Sequence, residues 1–256
     1  MTGHDSANKL AGVSISGPEQ AEAIIMLHGA MGNRHMWEGV IHHLNDSFRC
    51  ISVDLPGHGD LIDHEFTTDS ATGRIGQTLD VLNEDRAALV GLSLGGYIAQ
   101  AYTTEHPDRV SGLVICGATM PFTGSAGFMF RLTGYLIPLF SGRAVRGFTD
   151  HLKSDVDPEI ATAILKGGLS PTGGAQSFRE LAGTDHAHGM VGFSGPILIA
   201  NGERDAQNRK AEQRFRDLFP QAEIVTISDA SHAPPVEQPE SFAGAVRRLM
   251  ALTADE

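Results

Sequence analysis

Basic residues are scarce in this chain. It has 19 Lys and Arg against 31 Asp and Glu in 256 residues, a net charge of −12. That balance argues against the basic face on which nucleic-acid binding depends, and the scattered acids read as a soluble acidic surface. Long hydrophobic runs are missing too. No apolar stretch approaches the roughly 20 residues of a membrane span, and no charged start followed by an apolar segment marks an N-terminal signal. No nucleic-acid or membrane partner is therefore expected, and the cytoplasm is the default location. Cysteine is nearly absent: Cys50 and Cys116 fall in apolar runs that predict core strands, as small buried hydrophobes rather than a disulfide or metal pair. The 12 His form only two local pairs, His42-His43 and His186-Ala-His188, and neither has the spacing and acidic partners of a zinc site. Neither a metal nor another cofactor is expected. Internal repeats and low-complexity segments are also missing.

What is present is 41% hydrophobic residues, enough for a sizeable core, arranged in a rhythm of strands and helices. Residues 1–8 are polar and predicted to be disordered. Val13-Ser14-Ile15 alternates like an edge strand. Ala23–Leu27, Arg49–Val53, Ala87–Val90 and Val110–Ile115 read as buried strands, with helices predicted over 35–44 and 70–83 and a further helix-forming stretch, Tyr97–Tyr102, that ends at Pro107. Strands and helices alternating at this interval indicate βαβ units and a parallel sheet. Residues 119–190 break the rhythm. They hold six of the 12 Phe, and Asp157-Pro158 and Ser170-Pro171 are good helix starts. The rhythm returns with strands at 196–200 and 223–227 and helices at 208–218 and 239–252. The predicted fold is α/β: a mostly parallel central sheet flanked by helices. Its core would be residues 1–118 and 191–256, with a helical cap inserted at 119–190.

The chain is organised around Gly91-Leu92-Ser93-Leu94-Gly95-Gly96, between an apolar strand and a helix that stops at Pro107. A strand turning sharply into a helix leaves no room for side chains beside the turn. The three glycines meet that need and leave the Ser93 hydroxyl at the tip, with the free N–H groups of a helix start behind it. A serine hydroxyl is a poor nucleophile until a base takes its proton, and a histidine base needs a carboxylate to fix its tautomer. Asp205 and His232 each follow a later strand, in the order Ser, Asp, His. Ligands of open α/β sheets bind at those strand ends.

With these residues in hand, the sequence resembles the α/β-hydrolase fold family, in its subgroup of small serine hydrolases with a helical cap. The likeness covers about residues 20–118 and 192–252 and rests on five motifs: His28-Gly29, Asp54-Leu55-Pro56-Gly57-His58-Gly59, the Ser93 turn, Gly202-Glu203-Arg204-Asp205 and Ser231-His232-Ala233-Pro234. The resemblance implies Ser93 as nucleophile, His232 as base, Asp205 as the acid orienting it, and the backbone N–H groups of Ala30 and Leu94 as the oxyanion hole. Asp229 is the rival acid, but three residues before His232 it fits a turn better. Asp54, His58 and His28 read as loop-anchoring groups. Ser in place of Asp as nucleophile argues against dehalogenases and epoxide hydrolases of this fold. His232 lacks the following Trp of ring-cleavage C–C hydrolases, and the Gly-Gly-Gly oxyanion loop of the hormone-sensitive-lipase type is missing. Tyr97 stands where the menaquinone-pathway synthases have Arg, although Val236-Glu237-Gln238-Pro239 resembles them.

The activity implied is hydrolysis of small or medium carboxylic esters, by a monomer or homodimer acting on a small-molecule ester. Alternatives are a thioesterase, an enol-lactonase, a carrier-protein methyl esterase, a synthase-like lyase, or a hydrolase-like ligand receptor. The apolar run 128–140, turned inward, would line an acyl pocket suited to uncharged chains; the candidate pocket residues are Met31, Phe128, Phe130 and Tyr135. Arg131, Arg143, Arg146 and Lys153 read either as a solvated helix face or as a docking patch for an acidic carrier or carboxylate.

Overall fold

Strand β2, Ala23–Leu27, has no polar side chain, and all five residues are buried. Its side chains alternate between the two faces: Ile25 and Leu27 join one apolar cluster, Ile24 and Met26 the other. A strand buried on both faces needs a layer on each, and the rest of the fold supplies both. The computed structural model describes residues 10–254; the stretch 1–8, predicted to be disordered, lies outside the described residues.

In chain order the elements are β1 (Val13–Ser16), β2, a 3-10 turn (Arg34–Trp37) running into α1 (Glu38–Leu44), β3 (Arg49–Val53), α2 (Thr68–Leu82), β4 (Ala87–Leu92), α3 (Leu94–Glu105) and β5 (Val110–Cys116). A helical stretch follows: α4 (Gly124–Leu136), a 3-10 turn (Ile137–Phe140), α5 (Ser141–Asp155), α6 (Pro158–Lys166), α7 (Pro171–Leu181) and α8 (His186–Gly189). Then come β6 (Ile197–Gly202), α9 (Ala206–Leu218), β7 (Glu223–Ile227), α10 (Pro234–Glu237) and α11 (Pro239–Thr253). The seven strands form one sheet in the order β1-β3-β2-β4-β5-β6-β7, with only β1 antiparallel. Helices α2, α3 and α9 cover one face, through residues such as Ile75, Ile98 and Phe215. Helices α1 and α11 cover the other, through Leu44, Phe242 and Leu249.

The two cysteines are free and buried. Cys50 sits on β3 and Cys116 on β5, with β2 and β4 between them. Three strand spacings, roughly 14 Å, exceed the reach of a disulfide.

Helices α6 and α7 begin as their sequences suggest. Asp157 accepts the Glu159 N–H at 2.9 Å, Ser170 accepts the Gly173 N–H at 3.0 Å, and a proline opens each helix. The segment is also tied to the core. Asn33 donates from its side chain to the Ile164 and Gly168 carbonyls, and Ser170 Oγ donates to the Gly57 carbonyl at 2.6 Å. No described helix is long and apolar enough to cross a membrane.

Candidate active site

Three loops at the carboxyl ends of β4, β6 and β7 bring Ser93, Asp205 and His232 together. Ser93 lies between β4 and α3 with φ +50° and ψ −114°, a conformation a β-substituted residue rarely adopts. Such backbones cost about 1–3 kcal/mol and persist only where the surroundings impose them. Here the surroundings are close. A Cβ on Gly95 would lie 2.1 Å from the Leu27 carbonyl oxygen, and one on Gly91 2.5 Å from the Gly95 backbone. The turn is pinned by two hydrogen bonds, Ser93 N–H to the Cys116 carbonyl at 2.7 Å and Gly95 N–H to the His28 carbonyl at 3.0 Å.

His232 Nε2 lies 3.0 Å from Ser93 Oγ, and its Nδ1 lies 2.7 Å from Asp205 Oδ2. With an ionised carboxylate as acceptor, Nδ1 carries the hydrogen and donates it, which leaves the Nε2 lone pair facing the hydroxyl. Burial pushes the Asp205 carboxyl up, but the hydrogen bond and charge of His232 and the Asn208 donors outweigh it, and the net shift is downward. Asp205 therefore stays an anion. The rival, Asp229, has a 74% exposed side chain paired with Arg204 at 2.7 Å, against 8% for Asp205. It occupies a left-handed turn position, φ +56°, as the sequence suggests, and its carboxylate meets that guanidinium.

The Leu94 N–H follows Ser93 at the start of α3, and the Ala30 N–H lies in the loop after β2, which the Gly95 N–H bond to the His28 carbonyl ties to the same turn. Among the described residues neither has a protein acceptor. Unpaired donors at a helix start are suited to a developing anion. Asp54 is fully buried in the loop after β3. It accepts from the Arg34 guanidinium, from Arg34 N–H at 2.7 Å and from Asp60 N–H at 2.9 Å.

Beside Ser93 opens a cavity of about 530 Å³, walled by Tyr97, Met120, Phe122, Met129, Phe130 and Phe178, with Ser93 and His232 on its floor. Phe130 stacks between Phe122 and Phe178, at 3.8 and 4.1 Å between ring centroids. Among the described residues, no Lys, Arg, Asp or Glu lines the cavity. Burial pushes the Tyr97 phenol up, and its hydroxyl donates to the Met120 carbonyl at 3.1 Å, so it too is neutral.

Of the four residues expected to form the pocket, only Phe130 does. Phe128 is 68% exposed and Tyr135 62%. Both lie on the outer side of α4, because Ala126, Met129, Phe130 and Thr133 form its cavity side. Met31 is turned away, towards Gly174, with its N–H bonded to His58 and its carbonyl to Ser170 N–H. The basic residues lie outside the cavity as well. Arg131 donates to the Ala182 carbonyl at 2.9 Å, Arg143 lies over the Phe140 ring, and Arg146 and Lys153 are exposed.

Sequence reasoning missed the supports of the site. Glu237 accepts from Ser231 N–H, Ser231 Oγ–H and Ala233 N–H at 2.5, 2.6 and 3.0 Å, which fixes the loop on both sides of His232. Asn208 and Thr119 lie behind Asp205. The spacing of an Asp cap followed three residues later by Asn was the available signal for Asn208.

The profile described as "Alpha/beta hydrolase family" matches residues 24–245. The pimeloyl-(acyl-carrier protein) methyl ester esterase of Nitrosomonas europaea is 25% identical over 251 residues, covering 91% of this chain and 97% of that protein. The 3-oxoadipate enol-lactonase 1 of Acinetobacter baylyi is 27% identical over 240 residues, covering 91% and 90%. Among solved structures, a thermophilic esterase from Thermogutta terrifontis superposes with a TM-score of 0.79 at 25% identity, over 94% of this chain and 93% of that one.

Proposed function

The chain belongs to the alpha/beta hydrolase family, and from that premise we propose that it hydrolyses carboxylic esters of small or medium size through an acyl-enzyme on Ser93. The observation that carries this reading is the continuous contact Ser93 Oγ, His232 Nε2, His232 Nδ1, Asp205 Oδ2, at 3.0 and 2.7 Å. Ser93 Oγ attacks the ester carbonyl while His232 Nε2 takes its proton. The tetrahedral oxyanion is held by the N–H groups of Ala30 and Leu94. His232 passes the proton to the leaving alkoxide, which departs as the alcohol. Water then attacks the acyl group, again losing a proton to His232; the carboxylic acid leaves and Ser93 recovers its hydrogen. Asp205 stays ionised throughout and stabilises the imidazolium.

In this reading residues 119–190 act as the cap over a core of 1–118 and 191–256, and the cap sets the acyl group accepted. A charged acyl group would lose its hydration in the cavity and meet no counter-charge, a cost of several kcal/mol. The substrates are therefore esters with neutral, apolar acyl groups. Turnover separates the enzyme from a ligand receptor of the same fold. Ser93→Ala should lower hydrolysis of p-nitrophenyl butyrate by roughly 10³-fold or more with the melting temperature unchanged. A Ser93→Ala variant that retains activity would move the chemistry elsewhere.

A further inference from the structure

Behind Asp205 the structure holds a polar group that the proposed reaction does not use. Asn208 lies in the first turn of α9 and is 5% exposed. Its backbone N–H donates to Asp205 Oδ1 at 3.2 Å, the helix cap that an aspartate supplies. Its side chain does something a cap does not require: Nδ2 donates to Asp205 Oδ2 at 2.9 Å, the same oxygen that receives the His232 Nδ1–H. The amide cannot be turned the other way. Its Oδ1 faces the Thr119 N–H at 3.0 Å, and a backbone N–H can only donate. Thr119 Oγ1 adds a bond to the Asn208 carbonyl at 2.8 Å, and Thr119 is itself buried. A chain of oriented donors thus runs from the loop after β5, through Asn208, to the carboxylate and the imidazole.

We propose that Asn208 is a positioning residue that acts on His232 through Asp205, aiming Oδ2 at Nδ1 and setting how strongly the carboxylate holds the imidazolium. The role rests on the Ser93 reaction proposed above. Two physical consequences follow. A carboxylate oxygen that already accepts from an amide is a weaker acceptor for a second donor, so the Asn208 amide tempers the bond from His232 Nδ1–H to Asp205 Oδ2. An oxygen held by two donors has little freedom to rotate, and small displacements of a catalytic group are costly. Losing the amide donor should therefore make His232 more basic and less well aimed.

The informative variant is Asn208→Asp, which keeps the shape but sets a second carboxyl against Asp205 Oδ2. Two carboxylates at that distance do not ionise independently, and the added negative charge favours the imidazolium. The acid limb of the kcat/KM profile for p-nitrophenyl butyrate should move up by about one pH unit or more, with kcat at pH 7 down about tenfold or more. Asn208→Ala removes the donor without adding charge; it should move the limb in the same direction by less and lower kcat roughly threefold to tenfold. If Asn208→Asp does not fold, Asn208→Ala decides. A folded variant with the wild-type acid limb and kcat overturns the role. Ser93→Ala measured alongside separates the two claims. If it keeps turnover, the proposed function itself has failed; if it is inactive while the Asn208 variants behave as wild type, only the role of Asn208 has failed.

Discussion

His28 and His58 each accept a backbone N–H from the loop that carries the other. Leu55 N–H, in the loop after β3, donates to His28 Nε2 at 3.0 Å; Met31 N–H, in the loop after β2, donates to His58 Nε2 at 3.3 Å. The opposite ring nitrogens bond the Gly29 and Pro56 carbonyls at 2.8 and 3.0 Å, and the ring centroids lie 5.0 Å apart. Both rings are therefore neutral with the hydrogen on Nδ1. Together they fix the loop after β2 that carries Ala30 against the loop after β3.

This pair makes stability fall with acid. Burial, then the neighbouring His28, pushes His58 down to about 3, and burial likewise lowers His28. Between pH 6.5 and the folded-state value, the unfolded chain binds a proton that the native chain refuses. Stability is therefore full above about pH 6.5 and is lost as pH falls, by ~1.4 kcal/mol per pH unit for each histidine. Denaturant unfolding between pH 5.0 and 6.5, above the carboxylate range, should show this slope, and His58→Gln should reduce it by about one proton. An equal slope in the variant would show that His58 takes up its proton in the folded protein.

The two aspartates near His232 should behave differently. Asp205→Asn removes the acceptor that fixes the Nδ1–H tautomer, and ester turnover should fall by roughly 10³- to 10⁴-fold. Asp229→Asn loses one exposed ion pair and should cost less than about threefold. Steady-state kinetics on purified variants decide; comparable losses would mean that the imidazole draws on both acids.

Phe130 and Phe128 should also separate. Phe130→Trp adds bulk inside the ring stack and should shorten the longest acyl chain accepted, whereas Phe128→Trp, on the outer side of α4, should leave the profile unchanged. A p-nitrophenyl ester series from acetate to decanoate is the measurement. A profile that moves with Phe128 would mean α4 rotates when substrate binds.

Gly95→Ala should disrupt the fold rather than the chemistry. The added methyl would meet the Leu27 carbonyl, a backbone atom with nowhere to go, and overpacking of this kind costs 1–3 kcal/mol or more. Low soluble yield or a depressed melting temperature is expected; an unchanged melting temperature would mean the elbow can shift.

The sheet was legible in the sequence because most of its buried strands are short apolar runs closed by a turn signal, although Arg49–Val53 also buries Arg49 and Ser52. Ser93, Asp205 and His232 were legible because each sits just past such a run, where the strand register leaves little choice of position. The outer helices were less so. Phe128 and Phe130 cannot share a helix face, being two residues apart, yet both are apolar, and the run 128–140 is apolar but for Arg131 and Thr133; composition alone did not say which side faces the cavity. The supporting groups were harder still. Thr119 meets Asn208 across 89 residues of chain and Glu237 reaches back six to Ser231, and nothing local distinguishes those two from ordinary polar residues; only Asn208, three residues after Asp205, carried a spacing signal.

The uncharged cavity also bears on the direction of the reaction. Hydrolysis turns a neutral ester into a carboxylate at Ser93, and apart from His232 no ionisable side chain among the described residues lines the cavity beside it except the neutral Tyr97. The site then holds its product less well than its substrate, because the charge is better solvated in bulk water. The acid is expelled as soon as it ionises, and its return as the anion is opposed. Turnover should persist as product accumulates, and resynthesis of ester from acid and alcohol should depend on the small protonated fraction, rising as the pH is lowered.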